Sequence, residues 1–317
     1  MIRPPALGPG ARVALVAPAG PLPEGAVDRA VERVREWGGE PVTGDFCRGR
    51  CGFLAGTDDE RAADFQAALR SPDNDAVWCL RGGYGTMRIL GRIDWAPLVE
   101  RPRPLVGFSD NTALHLALSR RGVVSFHGPH AATPELPEFS RDGLLRVLTR
   151  AEPAGTLPFP GGGPQRAETL AGGVAEGPLV GGNLALLAAL AGTPWALRAR
   201  GAVLFLEDVG EPSYRLDRML SQLLLSGALE GVAGIAVGAL SESPDEGKAG
   251  LPTAAEVVAE RLGPLGVPIA FGFPFGHIDE SWTLPMGVRA RLDADAGMLA
   301  LTEPAVSEPG DRDRGTG

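Results

Sequence analysis

One serine in the sequence has the surroundings of a nucleophile. Ser109 follows the apolar residues 105–107 and precedes the apolar stretch 112–118, a pattern typical of a short buried strand, a tight turn and a helix. A hydroxyl at such a turn lies beside free backbone N–H groups and the positive end of the helix dipole, which stabilise a developing oxyanion. Serine is also a favoured helix cap, and this stretch alone favours the cap.

A nucleophilic serine needs a base, and the chain has four histidines. His115 falls within the apolar stretch after Ser109 and is expected to pack in the core. His127 and His130 flank a Gly-Pro pair at the end of another predicted strand, which makes them candidate pocket residues. His277 lies in a loop rich in glycine and proline, where a histidine that faces solvent is the more common case. The base stays unassigned at this point.

Glu207 is the best candidate for an acid that orients a base. It follows four large apolar residues at the end of a predicted strand, so its carboxylate would be partly buried and would need a partner such as an imidazole N–H. A strand-ending acid that faces water is the more common alternative. Asp208 and Glu211 are nearby rivals.

The segment RGGYG at 81–85 directly follows a predicted strand. The third glycine of a dinucleotide fingerprint would fall on Arg88, and no GK[ST] follows, so a nucleotide-binding loop is excluded. A glycine turn with free N–H groups remains, and it could complete an oxyanion hole beside Ser109. Cys79 lies within the preceding strand and is interpreted as a buried structural thiol.

The elements that must position these residues alternate between strand and helix in the first half of the chain. The apolar patterns predict strands at 13–17, 76–80, 105–107 and 123–126, and helices across 27–34 and 62–69, the second after a Thr57–Glu60 capping box. This alternation implies a mostly parallel sheet with its binding crevice at the carboxyl ends of the strands. Residues 81–85 and Ser109 both fall on that edge.

A chain of 317 residues is expected to form two domains. We predict a first domain over 1–150, a Gly- and Pro-rich linker with short extended pieces over 151–177, a second domain over 178–303 and a disordered tail over 304–317. The second half is predicted to contain helices at 184–190, 214–225 and 254–262, strands at 203–206, 235–237 and 267–270, and a terminal hairpin of 288–292 with 298–301.

Composition argues against several classes of function. The net charge of −9 argues against a nucleic-acid surface, which needs clustered lysine and arginine. No apolar run approaches the ~20 residues of a membrane helix, and residues 13–17 resemble a first strand more than a signal sequence, so we expect a cytoplasmic protein with no membrane partner. Three cysteines cannot form an even disulfide framework, and Cys47 and Cys51 lack a second ligand pair, so we expect no metal.

Nine short motifs lie along nearly the whole chain, and each of them occurs once. They are VALVAPAG at 13–20, FLAGTD at 53–58, RGGYG at 81–85, GFSD at 107–110, GGNL at 181–184, EDV at 207–209, YRLDRML at 214–220, GH at 276–277 and TLPMG at 283–287. Each motif alone is weak. Together they resemble the LD-carboxypeptidase family of serine peptidases, the group that also contains the microcin immunity peptidases.

The resemblance implies an α/β fold, with a flavodoxin-like parallel-sheet N-terminal domain plus a smaller β-rich α/β C-terminal domain. It implies that Ser109 is the nucleophile, that His277 is the general base and acid, and that Glu207 orients the imidazole. The site would then form where the two domains meet. The oxyanion hole would use the backbone N–H groups of Gly83 and Asp110.

The resemblance also implies a substrate. Muropeptide-type members of the family cleave the amide between an L-centre and a terminal D-amino acid, releasing D-alanine from a tetrapeptide of cell-wall turnover. Residues 207–209 and 214–219 resemble that type more than the immunity type. The resemblance implies a homodimer and no cofactor or metal, and Arg81 and Asn183 are candidates for holding the substrate.

Two alternatives remain open. One is an immunity-type peptidase that hydrolyses a peptidyl or aminoacyl nucleotide with the same triad. The other is a catalytically silent small-molecule binding protein that keeps the two-domain fold, against which the intact Ser109, Glu207 and His277 argue.

Overall fold

The computed structural model of the protein describes residues 1–163 and 165–308. The chain divides into two compact units. The first unit consists of Met1–Glu152, Thr283–Pro285 and the segment that begins at Pro304, and the second unit consists of Pro153–Trp282 and Met286–Glu303.

Strands and helices alternate through the first unit. Up to residue 152 its elements are β1 (Arg12–Val16), α1 (Ala26–Glu36), β2 (Glu40–Thr43), α2 (Asp58–Arg70), β3 (Ala76–Cys79), α3 (Thr86–Ile89), α4 (Ala96–Glu100), β4 (Leu105–Gly107), α5 (Thr112–Ser119), β5 (Ser125–His127) and α6 (Glu138–Thr149), with 3-10 turns at Leu90–Arg92 and Ser109–Asn111.

Strands predominate in the rest of the chain. The elements there are β6 (Gly155–Thr156), β7 (Glu168–Ala171), β8 (Val174–Asn183), α7 (Leu184–Ala189), β9 (Val203–Val209), α8 (Ser213–Leu225), β10 (Gly234–Ser241), α9 (Ala254–Leu262), β11 (Ile269–Phe271), β12 (Leu284–Met286), β13 (Arg289–Asp293) and β14 (Met298–Leu301), with 3-10 turns at Pro160–Gly162 and Gly263–Leu265.

The sheet of the first unit has the strand order β2-β1-β3-β4-β5-β12, in which β1 to β5 pair in parallel. The order 2-1-3-4-5 is that of flavodoxin-like folds, so the predicted fold class is confirmed. Every residue of β3 and β4 is buried, as expected for parallel strands that are covered by helices on both faces. The predicted Thr57–Glu60 capping box is present at the start of α2.

The second unit contains an eight-stranded sheet with the order β6-β14-β13-β8-β9-β10-β11-β7. Parallel pairing joins β8, β9, β10 and β11, and β13 pairs with β14 in the predicted antiparallel hairpin. The unit is therefore β-rich and α/β.

Two predicted irregular segments differ from the structure. Residues 151–177, predicted as a linker with short extended pieces, instead contribute β6, β7 and the start of β8 to the sheet. The strands β6 and β7 lie at its two edges, and short, half-exposed strands show little alternation of apolar and polar residues in the sequence. Of the predicted disordered tail, residues 304–308 are ordered against the first unit: Val306 is buried, and Ser307 exchanges backbone hydrogen bonds with Pro4 and Ala6. Residues 309–317 lie outside the described residues.

Across the part of the chain that the structure describes, no helix combines the length and the apolar character needed to cross a membrane.

Candidate active site

Ser109 begins the 3-10 turn between β4 and α5, at the carboxyl edge of the parallel sheet. Its φ of +59° lies in the left-handed region, which only a few per cent of non-glycine residues adopt. A strained serine on a turn between strand and helix is the geometry of known nucleophile turns, where the backbone holds the hydroxyl exposed. The conformation therefore favours the nucleophile over the simple helix cap.

Buried polar side chains hold the backbone just before Ser109. The Nδ2 atom of Asn111 donates to the carbonyl oxygen of Phe108 at 3.1 Å. His115 contacts the carbonyl of Gly107 with Nε2 at 3.0 Å and the hydroxyl of Ser125 with Nδ1 at 2.9 Å. Because a carbonyl only accepts, Nε2 is the donor, and Nδ1 accepts from Ser125. Burial lowers the pKa of His115 to about 4, so this histidine is neutral and positions the strand, as its core location predicts.

His127 and His130, the predicted pocket residues, both lie near this turn. The Nε2 atom of His130 is 3.0 Å from the carbonyl oxygen of Phe108, and its ring lies 5.5 Å from the ring of Phe108. His127 is buried and packs edge-on against the same Phe108 ring, at 5.1 Å. The structure thus places His130 beside the backbone of the Ser109 turn and His127 in the core behind it.

The glycine-rich segment 81–85 packs directly against Ser109. A Cβ added to Gly82 would lie 2.9 Å from the Cβ of Ser109, so only glycine allows this approach. The carboxylate of Asp110 accepts hydrogen bonds from the backbone N–H of Thr86 at 2.8 Å and from its hydroxyl at 2.5 Å. The glycine segment, with Gly83 at φ +102°, is therefore tied to the serine turn at both of its ends.

In the second unit, the buried carboxylate of Glu207 and the half-buried imidazole of His277 form an acid–imidazole pair. Glu207 lies inside β9 and is 0% exposed, and His277 lies in the loop after β11 with its side chain 22% exposed. The Nδ1 atom of His277 is 2.8 Å from Oε2 of Glu207. A neutral imidazole that donates from Nδ1 carries its acceptor lone pair on Nε2, which is the arrangement of a general base oriented by an acid.

The other two acids near Glu207 have different roles. Asp208 accepts hydrogen bonds from Asn183 Nδ2 at 3.0 Å and from the backbone N–H of Ala185 at 2.8 Å, which caps α7. Burial, reinforced by the charge of Glu207, raises the pKa of Asp208 to about 6. Glu211 pairs with Arg215 at 3.3 Å on the surface. Glu207 is the acid of the three that contacts a histidine.

The predicted substrate-binding residues differ in their surroundings. Asn183 is buried, and its side chain caps α7 through the N–H of Leu186 in addition to binding Asp208. Arg81 is exposed and donates from Nη1 to the carbonyl oxygen of Pro21 at 2.5 Å. Among residues 1–163 and 165–308, no three His, Cys, Asp or Glu side chains gather as a metal site.

The sequence motif at 276–277 contains Gly276, but sequence reasoning assigned no role to this glycine, which precedes His277. Its φ is +116°, and a Cβ there would lie 2.9 Å from the Cβ of Glu207, so glycine is required for the histidine loop to approach the acid. The Ser241 hydroxyl donates to the carbonyl oxygen of His277 at 3.0 Å and fixes the loop further. The Gly-His pair in the sequence was the available signal for this contact.

Family models match both halves of the chain. The model of the LD-carboxypeptidase N-terminal domain matches residues 13–128, and that of the LD-carboxypeptidase C-terminal domain matches residues 176–292.

Individual relatives align over most of their length. A Streptomyces coelicolor protein with a provisional carboxypeptidase name is 45% identical and covers 98% of this chain and 99% of its own. The murein tetrapeptide carboxypeptidase of Pseudomonas aeruginosa is 35% identical and covers 90% of this chain and 94% of its own. The microcin C7 self-immunity protein of Escherichia coli is 26% identical over 88% of both chains. A solved structure of a microcin C7 self-immunity protein has a TM-score of 0.87 at 25% identity, covering 97% of this chain and 100% of that one.

Proposed function

We propose, because the chain belongs to the LD-carboxypeptidase family, that it hydrolyses the amide between an L-centre and a terminal D-amino acid and releases D-alanine from muropeptide tetrapeptides. The chain is a serine-type carboxypeptidase. The observation that carries the proposal is the 2.8 Å hydrogen bond between His277 and the fully buried Glu207. A buried carboxylate is costly unless it is paired, and this one is paired with a candidate base.

In the proposed mechanism Ser109 Oγ attacks the carbonyl carbon of the scissile amide while its proton passes to Nε2 of His277. Glu207 stabilises the imidazolium that forms. The backbone N–H groups of Gly83 and Asp110 hold the oxyanion of the tetrahedral intermediate. The intermediate collapses with cleavage of the C–N bond, and His277 returns the proton to the amine of the departing D-alanine.

A water molecule then attacks the acyl-enzyme by the same steps of proton transfer, addition and collapse. His277 removes a proton from the water as its oxygen bonds to the ester carbon. The bond between the ester carbon and Ser109 Oγ then breaks, Oγ takes the proton back from His277, and the shortened peptide leaves with a new carboxylate. Of the two candidates for holding the substrate, we assign its terminal carboxylate to Arg81, because this guanidinium is exposed whereas the amide of Asn183 is buried against Asp208.

Two further features accompany this proposal. We propose a cytoplasmic location, and we expect a homodimer because family resemblance implies one. Size-exclusion chromatography with light scattering would test the dimer directly.

The first test compares two substrates with purified protein. We expect release of D-alanine from a murein tetrapeptide to exceed hydrolysis of an aminoacyl nucleotide by at least 10-fold, because the chain is more similar to the murein enzyme than to the immunity protein. The reverse preference would favour the immunity-type alternative, which the TM-score of 0.87 to a microcin self-immunity protein keeps in consideration.

The second test removes the nucleophile. We expect Ser109→Ala to lower kcat by roughly 10³-fold or more while the midpoint of thermal unfolding changes little. Turnover at the wild-type rate by this variant would exclude Ser109 as the nucleophile. Absence of turnover by the wild-type protein on both substrates would favour a binding protein.

A further inference from the structure

Arg61 is a buried arginine that the proposed mechanism does not use. It lies in the first turns of α2 and is 2% exposed. A guanidinium out of water is costly unless its donors are satisfied, and burial lowers the pKa of Arg61. A buried arginine of this kind is therefore expected to have hydrogen-bond acceptors for most of its N–H donors.

The donors of Arg61 reach three separate loops. Nε donates to the carbonyl oxygen of Gly56 at 3.3 Å, and Nη1 donates to those of Pro18 and Gly85, the latter at 2.9 Å. Nη2 pairs with the carboxylate of Asp58 at 2.5 Å. The three carbonyls belong to the loop after β1, the turn before α2 and the glycine segment after β3. One side chain thus joins loops at the carboxyl edge of the sheet.

These loops form the support behind Ser109. The N–H of Gly20, in the loop after β1, donates to the carbonyl oxygen of Gly82 at 3.0 Å, and Gly82 packs against Ser109. Gly85 has a φ of +129°, and a Cβ there would lie 3.0 Å from Nη1 of Arg61. Leu54, whose Cδ2 would lie 2.5 Å from that Cβ, and the guanidinium together occupy the place that a side chain at position 85 would need.

The far end of the glycine segment is also held from the serine side. Thr86, directly after Gly85, donates its N–H and hydroxyl to the buried carboxylate of Asp110. The segment between Gly82 and Thr86 is consequently fixed between the guanidinium of Arg61 and the carboxylate of Asp110.

We propose that Arg61 is a positioning residue for the oxyanion hole, which holds the glycine segment 82–85 at the distance from the Ser109 turn that the reaction requires. The inference rests on the proposed function, because it gives Gly83 and Asp110 their roles. Arg61 touches no reacting atom and acts through the carbonyl oxygens of Pro18 and Gly85.

Lysine cannot replace arginine in this role. The guanidinium reaches Gly56 from Nε and Gly85 from Nη1, two nitrogens in a fixed plane, whereas a lysine has one nitrogen. In Arg61→Lys the positive charge next to Asp58 is kept, but the hydrogen bonds to the carbonyl oxygens of Gly56 and Gly85 cannot both form.

The test measures the rate at which a fluorophosphonate labels Ser109, a reaction that needs the oxyanion hole but no peptide substrate. We expect Arg61→Ala and Arg61→Lys each to slow labelling by about 10- to 100-fold. On the murein tetrapeptide kcat should fall by a similar factor, with KM within about 3-fold. Guanidinium at low millimolar concentration, far below denaturing levels, should restore labelling of Arg61→Ala by at least 5-fold.

Arg103 supplies the matched control. It is 3% exposed and donates to the backbone carbonyls of Ala68 and Ser71 at 3.2 and 2.8 Å, at the other end of α2. Arg103→Ala removes a buried arginine of the same kind away from Ser109. We expect it to lower the midpoint of thermal unfolding as Arg61→Ala does, with labelling within 2-fold of wild type and unaffected by guanidinium.

Two outcomes would overturn the proposal: labelling of both Arg61 variants within 2-fold of wild type, or equal slowing in Arg103→Ala. If Arg61→Ala does not fold, Arg61→Lys decides by the same criterion. Wild-type protein that labels at Ser109 but releases no D-alanine would contradict the proposed substrate and leave the role of Arg61 intact. Wild-type protein that does not label at Ser109 would contradict the proposed function and this inference with it.

Discussion

Gly276 sets the distance between Glu207 and His277 because it has no side chain. A Cβ at this position would lie 2.9 Å from the Cβ of Glu207, which is buried in β9 and has no room to withdraw. An added methyl group would therefore push the histidine loop outward and lengthen the 2.8 Å hydrogen bond between the two side chains. The geometry of the pair depends on a residue that carries no chemistry.

We expect Gly276→Ala to lower kcat by about 10- to 100-fold, because a displaced base loses its alignment. Gly272→Ala is the control: Gly272 has a φ of +90°, so alanine strains the backbone there too, but no atom lies within 4 Å of its added Cβ. Both variants should be compared for kcat and for the midpoint of thermal unfolding. Equal losses of kcat in the two would mean that backbone strain alone explains the effect.

Single residues differed in how far the sequence could predict them. Ser109 carried a local signal, since its turn lies between two apolar stretches. Glu207 and His277 are 70 positions apart, and no local pattern links them, so their pairing followed only from family resemblance. Arg61 follows a capping box on an amphipathic helix and resembles an ordinary surface arginine, because burial of its guanidinium arises from loops distant in sequence.

At the scale of secondary-structure elements, α5 is fixed to the serine strand by a neutral histidine. His115 spans from α5 to the carbonyl of Gly107 at the end of β4 and to Ser125 at the start of β5. Burial lowers its pKa from 6.5 to about 4, so the unfolded chain binds a proton more readily than the folded protein does. Its contribution to stability is therefore complete above about pH 6.5 and is lost as the pH falls toward 4.

We expect wild-type protein to lose about 2–3 kcal/mol more free energy of unfolding between pH 7 and pH 4.5 than His115→Gln does. Glutamine can donate to Gly107 and accept from Ser125 without titrating in this range. Urea denaturation of both proteins at the two pH values measures the difference. Parallel losses would show that His115 does not titrate on unfolding.

The sequence predicted well those helices and strands whose apolar residues recur at regular spacing. It did not predict the positions of the short strands at the edges of the second sheet. The predicted helix 254–262 coincides with α9, whose apolar residues recur at helical spacing. The segment that forms β6 and β7 is rich in glycine and proline and lies at the sheet edges, where the pattern of burial is weak. Its place in the sheet follows from pairing with β14 and β11, which are distant in sequence.

At the scale of the whole molecule, the first unit is assembled from three separate stretches of chain. Its N-terminal arm pairs with the segment after Pro304: Ala6 donates to the carbonyl of Ser307, and Ser307 donates to that of Pro4, each at 2.9 Å. Val306, which directly precedes Ser307, is fully buried. Residues that follow the last strand thus complete the core of the unit that begins the chain.

A chain that ends after Glu303 should therefore lose about 2–5 kcal/mol of unfolding free energy, from the burial of Val306 and the lost backbone bonds. A chain that ends after Glu308 keeps every described contact and should match the full-length protein. Urea denaturation of the two truncated proteins measures the contribution of residues 304–308. Equal stability of the two would contradict this account of the C-terminal segment.

The strand β12 has a consequence for synthesis on the ribosome. It lies beside β5, yet it is translated only after the roughly 130 residues from Pro153 to Trp282, which at about 5–20 residues per second takes roughly 6–26 s. During that interval the nascent chain carries β5 as an open edge, and open edges invite pairing with other chains. The sheet that carries Ser109 receives its last strand only after Glu207 and His277 have been translated.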